Sequence, residues 1–376
     1  MNQQNGGEGK TRLSMRSCAC GYDDTLSLTN GGLSRRQFMA SAAGAATLAA
    51  TGFGRAGQAL AQSADAKPYR IDVHHHLSPP SYIQASVANN FGDGLLRGWT
   101  VEKSLADMDQ AGIAVSMLSV TQPGVNFTSG EAARKLVREC NEYNAKLIAD
   151  HPGRFGGWAM LPLTDTEGSL KEIAYALDTL KLDGIGLMTN YRDKWLGHPS
   201  FLPVMEELNR RKCVVYTHPS TADCCVNLLP NEPPTLVEWG TDTTRTIGDI
   251  VFSGNAQKFR DIKWIFSHAG GTMPFLIERF IRQPIIEAKY KPMVPDGTLA
   301  ELTRFYYDTA QTSNKASIQA LTAVIPASQI LFGTDFPYRT GIDHVKGLRS
   351  SGVFTDAQIM DIERGNVLKL LPRLGA

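Results

Sequence analysis

The sequence predicts an α/β fold of the (β/α)8-barrel (TIM barrel) class in a single domain, and three observations lead there. Eight short apolar runs alternate with amphipathic stretches from Tyr69 onward, the pattern of parallel strands joined by helices, and eight is the number that closes a barrel. No glycine-rich phosphate loop follows the first run, which argues against an open, doubly wound sheet. Polar residues with ligand chemistry fall at the C-terminal ends of several runs, where a barrel gathers its chemistry.

The predicted strands are 69–73, 115–120, 155–160, 184–188, 214–217, 263–267, 305–308 and 329–332. Helical patterns lie between them, including 102–110, 131–150, 169–180, 201–211, 243–253, 273–287 and 315–324. Apolar residues spaced by three and four, as in Leu136, Cys140, Tyr143 and Leu147, support the second of these helices. His151-Pro152-Gly153 stops it, and Asp183-Gly184 and Ser253-Gly254 punctuate others.

Residues 1–61 read as a twin-arginine export signal, followed by one domain over 66–376. Ser34-Arg35-Arg36-Gln37-Phe38-Met39 precedes a mildly apolar Ala- and Gly-rich run, and Ala59-Leu60-Ala61 offers a small-x-small cleavage site. A disordered tail with a chance arginine pair is the alternative. The run is too weakly hydrophobic for stable membrane insertion, so the expected location is the periplasm. Without the leader the chain has 32 Lys and Arg against 34 Asp and Glu, which excludes the basic footprint of a nucleic-acid binder. Cys18 and Cys20 leave with the leader; Cys140, Cys213, Cys224 and Cys225 are too few for a disulfide framework.

His74-His75-His76 follows the first strand, and alternation puts His74 and His76 on one face and His75 on the other. Two imidazoles so spaced can chelate a metal ion, although three adjacent histidines also occur as a surface tract. The fifth strand ends in Thr217-His218-Pro219, the sixth in Ser267-His268-Ala269-Gly270-Gly271, and the eighth in Gly333-Thr334-Asp335-Phe336-Pro337. One histidine after an apolar run is usually structural. Four strands delivering such residues to one rim point to a metal site.

These motifs resemble the amidohydrolase superfamily, in particular the group typified by aminocarboxymuconate semialdehyde decarboxylase. The resemblance spans nearly all of 69–375 and keeps the motif order. Cys140-Asn141-Glu142-Tyr143, Leu208-Asn209-Arg210-Arg211-Lys212 and Thr243-Thr244-Arg245-Thr246 narrow it toward the 6-methylsalicylate decarboxylases. It implies that His74, His76, His218 and Asp335 ligate one divalent metal ion, with His268 just outside as a catalytic group. Three imidazoles and a carboxylate suit Zn²⁺; Mn²⁺ is the alternative. Binuclear relatives carry a bridging lysine at the end of strand four, where this chain reads Leu187-Met188-Thr189-Asn190. The resemblance also implies that Arg279 reaches a neighbouring subunit's substrate carboxylate, hence a homodimer or higher homo-oligomer, and that Arg97 matches a second carboxylate-binding arginine.

Other residues are read from position alone. Trp195, Tyr191 and Trp239 fall in loops near the same rim, and Trp195 is a candidate substrate contact. Arg245 is either a structural cap or a substrate contact. Cys224-Cys225 falls in the loop after His218, either as a strained adjacent disulfide or as two thiols. His75, His151, His198 and His344 lack the ligand pattern.

The expected reaction is non-oxidative decarboxylation of a small hydroxylated aromatic or conjugated carboxylic acid, with Asp335 or His268 moving the proton to the ring carbon. The alternative is hydrolysis by a metal-activated water, since both chemistries use the same residues. A periplasmic binding protein on a barrel scaffold is the non-enzymatic reading; proton-transfer groups beside the metal argue against it.

Overall fold

Runs that are largely apolar, with no strict alternation, need burial on both faces, which a barrel wrapped in helices provides. The computed structural model describes residues 68–375, and the expected export signal over 1–61 lies outside them. Eight parallel strands pair in chain order: β1 Arg70–Leu77, β2 Ile113–Val120, β3 Phe155–Met160, β4 Gly184–Met188, β5 Val214–His218, β6 Lys263–Phe266, β7 Tyr306–Asp308 and β8 Ile330–Leu331. A helix follows each: α1 Val101–Ala111, α2 Gly130–Asp150, α3 Thr166–Ala174, α4 Leu202–Arg210, α5 Glu238–Phe252, α6 Ile277–Ile286, α7 Lys315–Thr322 and α8 Gly341–Ser350. The fold is a (β/α)8 barrel. No helix among the described residues is long and apolar enough to cross a membrane.

Closure uses the segment just beyond β8. Val73 N donates to Phe332 O at 3.0 Å, His76 N to Phe336 O at 2.9 Å and Asp335 N to His74 O at 2.8 Å. The side chain of Asp72 adds two links, accepting from Thr334 N at 3.1 Å and from Thr334 Oγ1 at 2.6 Å. Asp335 is thus set in place by the same bonds that seal the barrel.

Inside, Ile71, Val73, Val115, Met117, Trp158, Val214, Tyr216, Ile265 and Leu331 fill the bore, and Val367, Leu371 and Leu374 of the C-terminal segment pack with them. The larger apolar layer lies between strands and helices. Capping follows the sequence: the Thr100 side chain accepts from Lys103 N at the start of α1, and Gly112, at φ 64°, ends it.

Several boundaries differ from expectation. β1 extends to Leu77, so the three histidines lie within the strand rather than after it. α5 starts at Glu238 instead of 243, placing Trp239 in a helix. The stretch expected as one helix to 180 is α3 followed by a π-helical turn, Tyr175–Thr179. α6 begins only at Ile277 and carries Pro284. These are helix ends and turns, set by packing that periodicity does not encode.

Candidate metal centre

β1 pairs with β2 through a register shift between Asp72 and His75. Such a bulge changes which way the following side chains face. Val73 packs in the bore, and so, after the bulge, do His74 and His76. His75 is turned outward to the α1 side: its Nε2 lies 2.9 Å from Ser104 Oγ, its Nδ1 3.1 Å from Asp72 Oδ2, and its ring stacks on Phe336. The last residue of β5, His218, brings a third imidazole. Asp335 enters from the turn after β8.

The four side chains meet. His76 Nε2 is 2.9 Å, His74 Nε2 3.2 Å and His218 Nε2 3.9 Å from Asp335 Oδ1, and all four ligand atoms lie within 4.8 Å of one another. All are buried. Each imidazole is oriented from behind. His74 Nδ1 faces Asp308 Oδ2 at 2.9 Å, His76 Nδ1 faces the Ser119 carbonyl at 3.3 Å and its hydroxyl at 3.2 Å, and His218 Nδ1 faces Pro219 O at 2.9 Å. A carboxylate or carbonyl accepts only, so Nδ1 of each ring carries the hydrogen and Nε2 the lone pair.

This arrangement fits a cation. Three nitrogen lone pairs converge on a carboxylate oxygen, and His218 Nε2 is buried with no hydrogen-bond partner, a costly state for an isolated polar atom. The electrostatics agree. Burial opposes protonation of His74, yet Asp308 and Asp335 overcome it and raise its pKa to about 10. Burial lowers His218 to about 4. Against its own burial, Asp335 is held well below the carboxylate range, with His74 the leading cause. Positive charge is wanted at this point, and a divalent ion supplies it with no proton on His74. His74, His76, His218 and Asp335 could hold one such ion, and the donor set of three nitrogens and one oxygen suits Zn²⁺.

His268 stands beside this group, its ring 4.9 Å from that of His74 and 5.8 Å from that of His218. Its Nδ1 donates to Ala310 O at 3.0 Å, leaving Nε2 with the lone pair. Burial lowers its pKa to about 4, so the ring is neutral near pH 7 and able to accept a proton. Gly271 explains the paired glycines that follow: a Cβ there would stand 2.0 Å from Gly240 O in α5. The close approach seats the His268 turn on α5.

Sequence reasoning missed Asp308. Besides orienting His74, it accepts from His268 N at 2.9 Å and Ala310 N at 3.0 Å through Oδ1. The signal was present, since Asp308 ends the seventh strand as His218 ends the fifth. Tyr338 was also missed; its ring lies 5.9 Å from that of His76. His268, Ala269, Gln311 and Asp335 all have φ between 54° and 64°, so left-handed backbone in non-glycine residues gathers at this rim.

Other expected contacts fare differently. The Trp195 indole N–H is committed to the buried Asp242 carboxylate at 2.7 Å, and Trp239 instead stands against His218 with ring centroids 5.8 Å apart. Tyr191 is buried and packs on Phe201. Arg97 is exposed and donates to Phe91 O at 2.7 Å, within its own turn, with no hydrogen bond to the histidine cluster. Arg245 is inside α5, 3.8 Å from both Glu238 and Asp242, and is no cap. Arg279, in the first turn of α6, is exposed and makes no ion pair among the described residues. Cys224 and Cys225 are free thiols, the first exposed and the second buried, with sulfurs 2.6 Å apart.

The amidohydrolase family model (Amidohydro_2) matches residues 71–373. The decarboxylase YanB of Aspergillus niger is 37% identical over 323 residues, covering 81% of this chain and 88% of that protein. The 6-methylsalicylic acid decarboxylase AcuB of Aspergillus aculeatus is 34% identical over 328 residues, covering 81% and 96%. Among solved structures, a dihydroxybenzoic acid decarboxylase from Polaromonas, with bound manganese and 2-nitroresorcinol, is 20% identical with a TM-score of 0.68, covering 82% of this chain and 97% of that one; at that identity the likeness concerns the fold. With eight strands, a buried histidine–aspartate cluster and a match over most of its length, this chain belongs to the amidohydrolase family.

Proposed function

We propose that this protein is a metal-dependent, non-oxidative decarboxylase of a small hydroxylated aromatic acid of the salicylate type. One observation carries the reading: three imidazole nitrogens and Asp335 Oδ1 converge, with the partner-free Nε2 of His268 beside them. Two relatives at 34–37% identity carry decarboxylase names, one of them for 6-methylsalicylic acid. His74, His76, His218 and Asp335 would hold a divalent ion, which would supply Lewis-acid stabilisation of negative charge on the substrate's oxygens. Zn²⁺ fits the donors best; the Polaromonas neighbour carries manganese, and metal analysis of the purified protein decides between them.

His268 moves the proton. Neutral near pH 7, its Nε2 accepts the phenolic hydrogen as the substrate's oxygens bind. It then returns that hydrogen to the ring carbon bearing the carboxylate. The carbon–carboxylate bond breaks, its electron pair restores the ring, and CO₂ leaves with a phenolate behind. Positioned proton transfer of this kind contributes about 10²–10⁴-fold. Asp335 is the weaker candidate for this step, because Oδ1 faces the imidazoles and Oδ2 accepts from Gln311 at 3.0 Å. Tyr216, Trp239 and Tyr338 stand against the cluster, their rings 5.3, 5.8 and 5.9 Å from those of His74, His218 and His76.

Arg279 completes the site of a second copy. Exposed apolar residues flank it in the chain, Phe275 at 87%, Ile285 at 73% and Ile286 at 66%, and such residues suit burial in a homo-oligomer. Residues 1–61 direct export to the periplasm; Arg35→Lys with Arg36→Lys should hold the precursor inside the cell.

The test incubates the metal-loaded protein with salicylate-like acids in ¹⁸O-labelled water. CO₂ release with no label in the aromatic product supports decarboxylation. Label in the organic product means hydrolysis, and unchanged ligand means a binding protein.

A further inference from the structure

We infer that Gln311 is a positioning residue that locks the Asp335 carboxylate, directing Oδ1 at the three imidazoles. The inference rests on the metal-dependent reading above and adds a residue to it. Gln311 is exposed, and its backbone sits in the left-handed region at φ 58°, which a non-glycine residue adopts at a cost. Its side chain turns inward, and Nε2 donates to Asp335 Oδ2 at 3.0 Å.

The turn that presents Gln311 is anchored on three sides. Asp308 Oδ1 holds Ala310 N at 3.0 Å. Thr309 Oγ1 accepts from Gly333 N at 3.2 Å, on the loop that carries Asp335. Ser313 Oγ donates to Thr309 O at 3.1 Å and lies 2.8 Å from His344 Nδ1 of α8. The amide therefore meets Asp335 from a fixed backbone. Within four residues, the end of β7 orients His74 through Asp308, His268 through Ala310 O, and Asp335 through Gln311.

The N–H directed at Oδ2 holds the carboxylate in one rotation, with Oδ1 toward the imidazoles. Partners placed behind metal-binding groups typically matter by 10–100-fold in affinity or activity.

Gln311→Met keeps the length and removes the donor; Gln311→Glu keeps the shape and sets a second carboxylate against Asp335. Apoprotein of each is titrated with Zn²⁺ and Mn²⁺ against a chromogenic chelator, and each is assayed metal-saturated with a salicylate-type acid. Both variants should keep the wild-type thermal midpoint, because the side chain is exposed. Metal affinity should fall about tenfold or more, with kcat down about tenfold and KM little changed. Wild-type affinity and kcat in Gln311→Met would overturn the inference while leaving the metal-dependent reading intact. A lowered thermal midpoint with unchanged metal affinity would also overturn it, as a merely structural role. A wild-type protein that binds neither ion would sink both.

Discussion

Replacing Asp308 with asparagine isolates the orientation of one imidazole. Asp308 serves three donors: His268 N and Ala310 N on Oδ1, and His74 Nδ1 on Oδ2. Alanine would orphan all three in the interior at about 1–3 kcal/mol each, enough to endanger a domain stable by about 5–15 kcal/mol. Asparagine is gentler and more informative. Its oxygen can keep both backbone N–H groups, and the flipped amide is unfavourable because it would face them with a donor. The amide NH₂ then meets His74 Nδ1, where Oδ2 used to accept. His74 must move its hydrogen to Nε2, and one of three nitrogen lone pairs is lost to the ion. Loss of about 100-fold in metal affinity is expected, about 2.7 kcal/mol, and the thermal midpoint of the apoprotein should fall as well, because His74 loses the buried carboxylate that favours its charged form. The assay is metal competition against a chelator, with metal content per chain and decarboxylation followed in parallel. Affinity within about threefold of wild type would refute the tautomer argument.

His218→Ala removes the buried, unpartnered nitrogen and should leave the purified protein with little metal and no activity; full metal content would show that the ion is held elsewhere. Arg279→Ala should raise KM for the carboxylate substrate while leaving the thermal midpoint alone, and Phe275→Asp should shift sedimentation toward monomer; an unchanged KM removes Arg279 from substrate binding. For His344, burial depresses the pKa from 6.5 to about 4. The unfolded chain therefore binds a proton that the fold refuses, and the stability this group contributes is present above pH 6.5 and lost as pH falls toward 4. Between pH 7.5 and 5 the loss due to His344 is about 2 kcal/mol. Urea unfolding of His344→Gln at both pH values should show a smaller loss by that amount; equal losses would mean that the imidazole is already charged in the fold.

Much of the barrel was legible because its strands are buried on both faces. A run such as Val214–His218 is apolar up to a ligand-type residue at its end, and that punctuation marks both the strand and the rim. The same signal at Asp308 went unused, since a lone aspartate ending a strand also reads as an ordinary turn residue. Trp195 shows what position in the chain leaves open. Its place in a rim loop suggested a substrate contact, yet Asp242, 47 residues later in the chain, takes its indole N–H. Arg97 likewise satisfies itself on Phe91 O within six residues. Loop side chains choose among several partners, and spacing does not rank partners from other elements.

By itself, the sequence determined the alternation of strands and helices, the parity of His74 and His76, and the residue types available for a metal and a proton. These are local properties, set by periodicity and side-chain chemistry. Only the tertiary structure decided which way the histidines face, through the bulge after Asp72. It also placed Asp335 by the hydrogen bonds that close the ring, and turned Asp308 and Gln311 toward residues 234 and 24 positions away. The reason is physical: a hydrogen bond is made within about 3 Å, and chain folding alone sets which distant groups come that close.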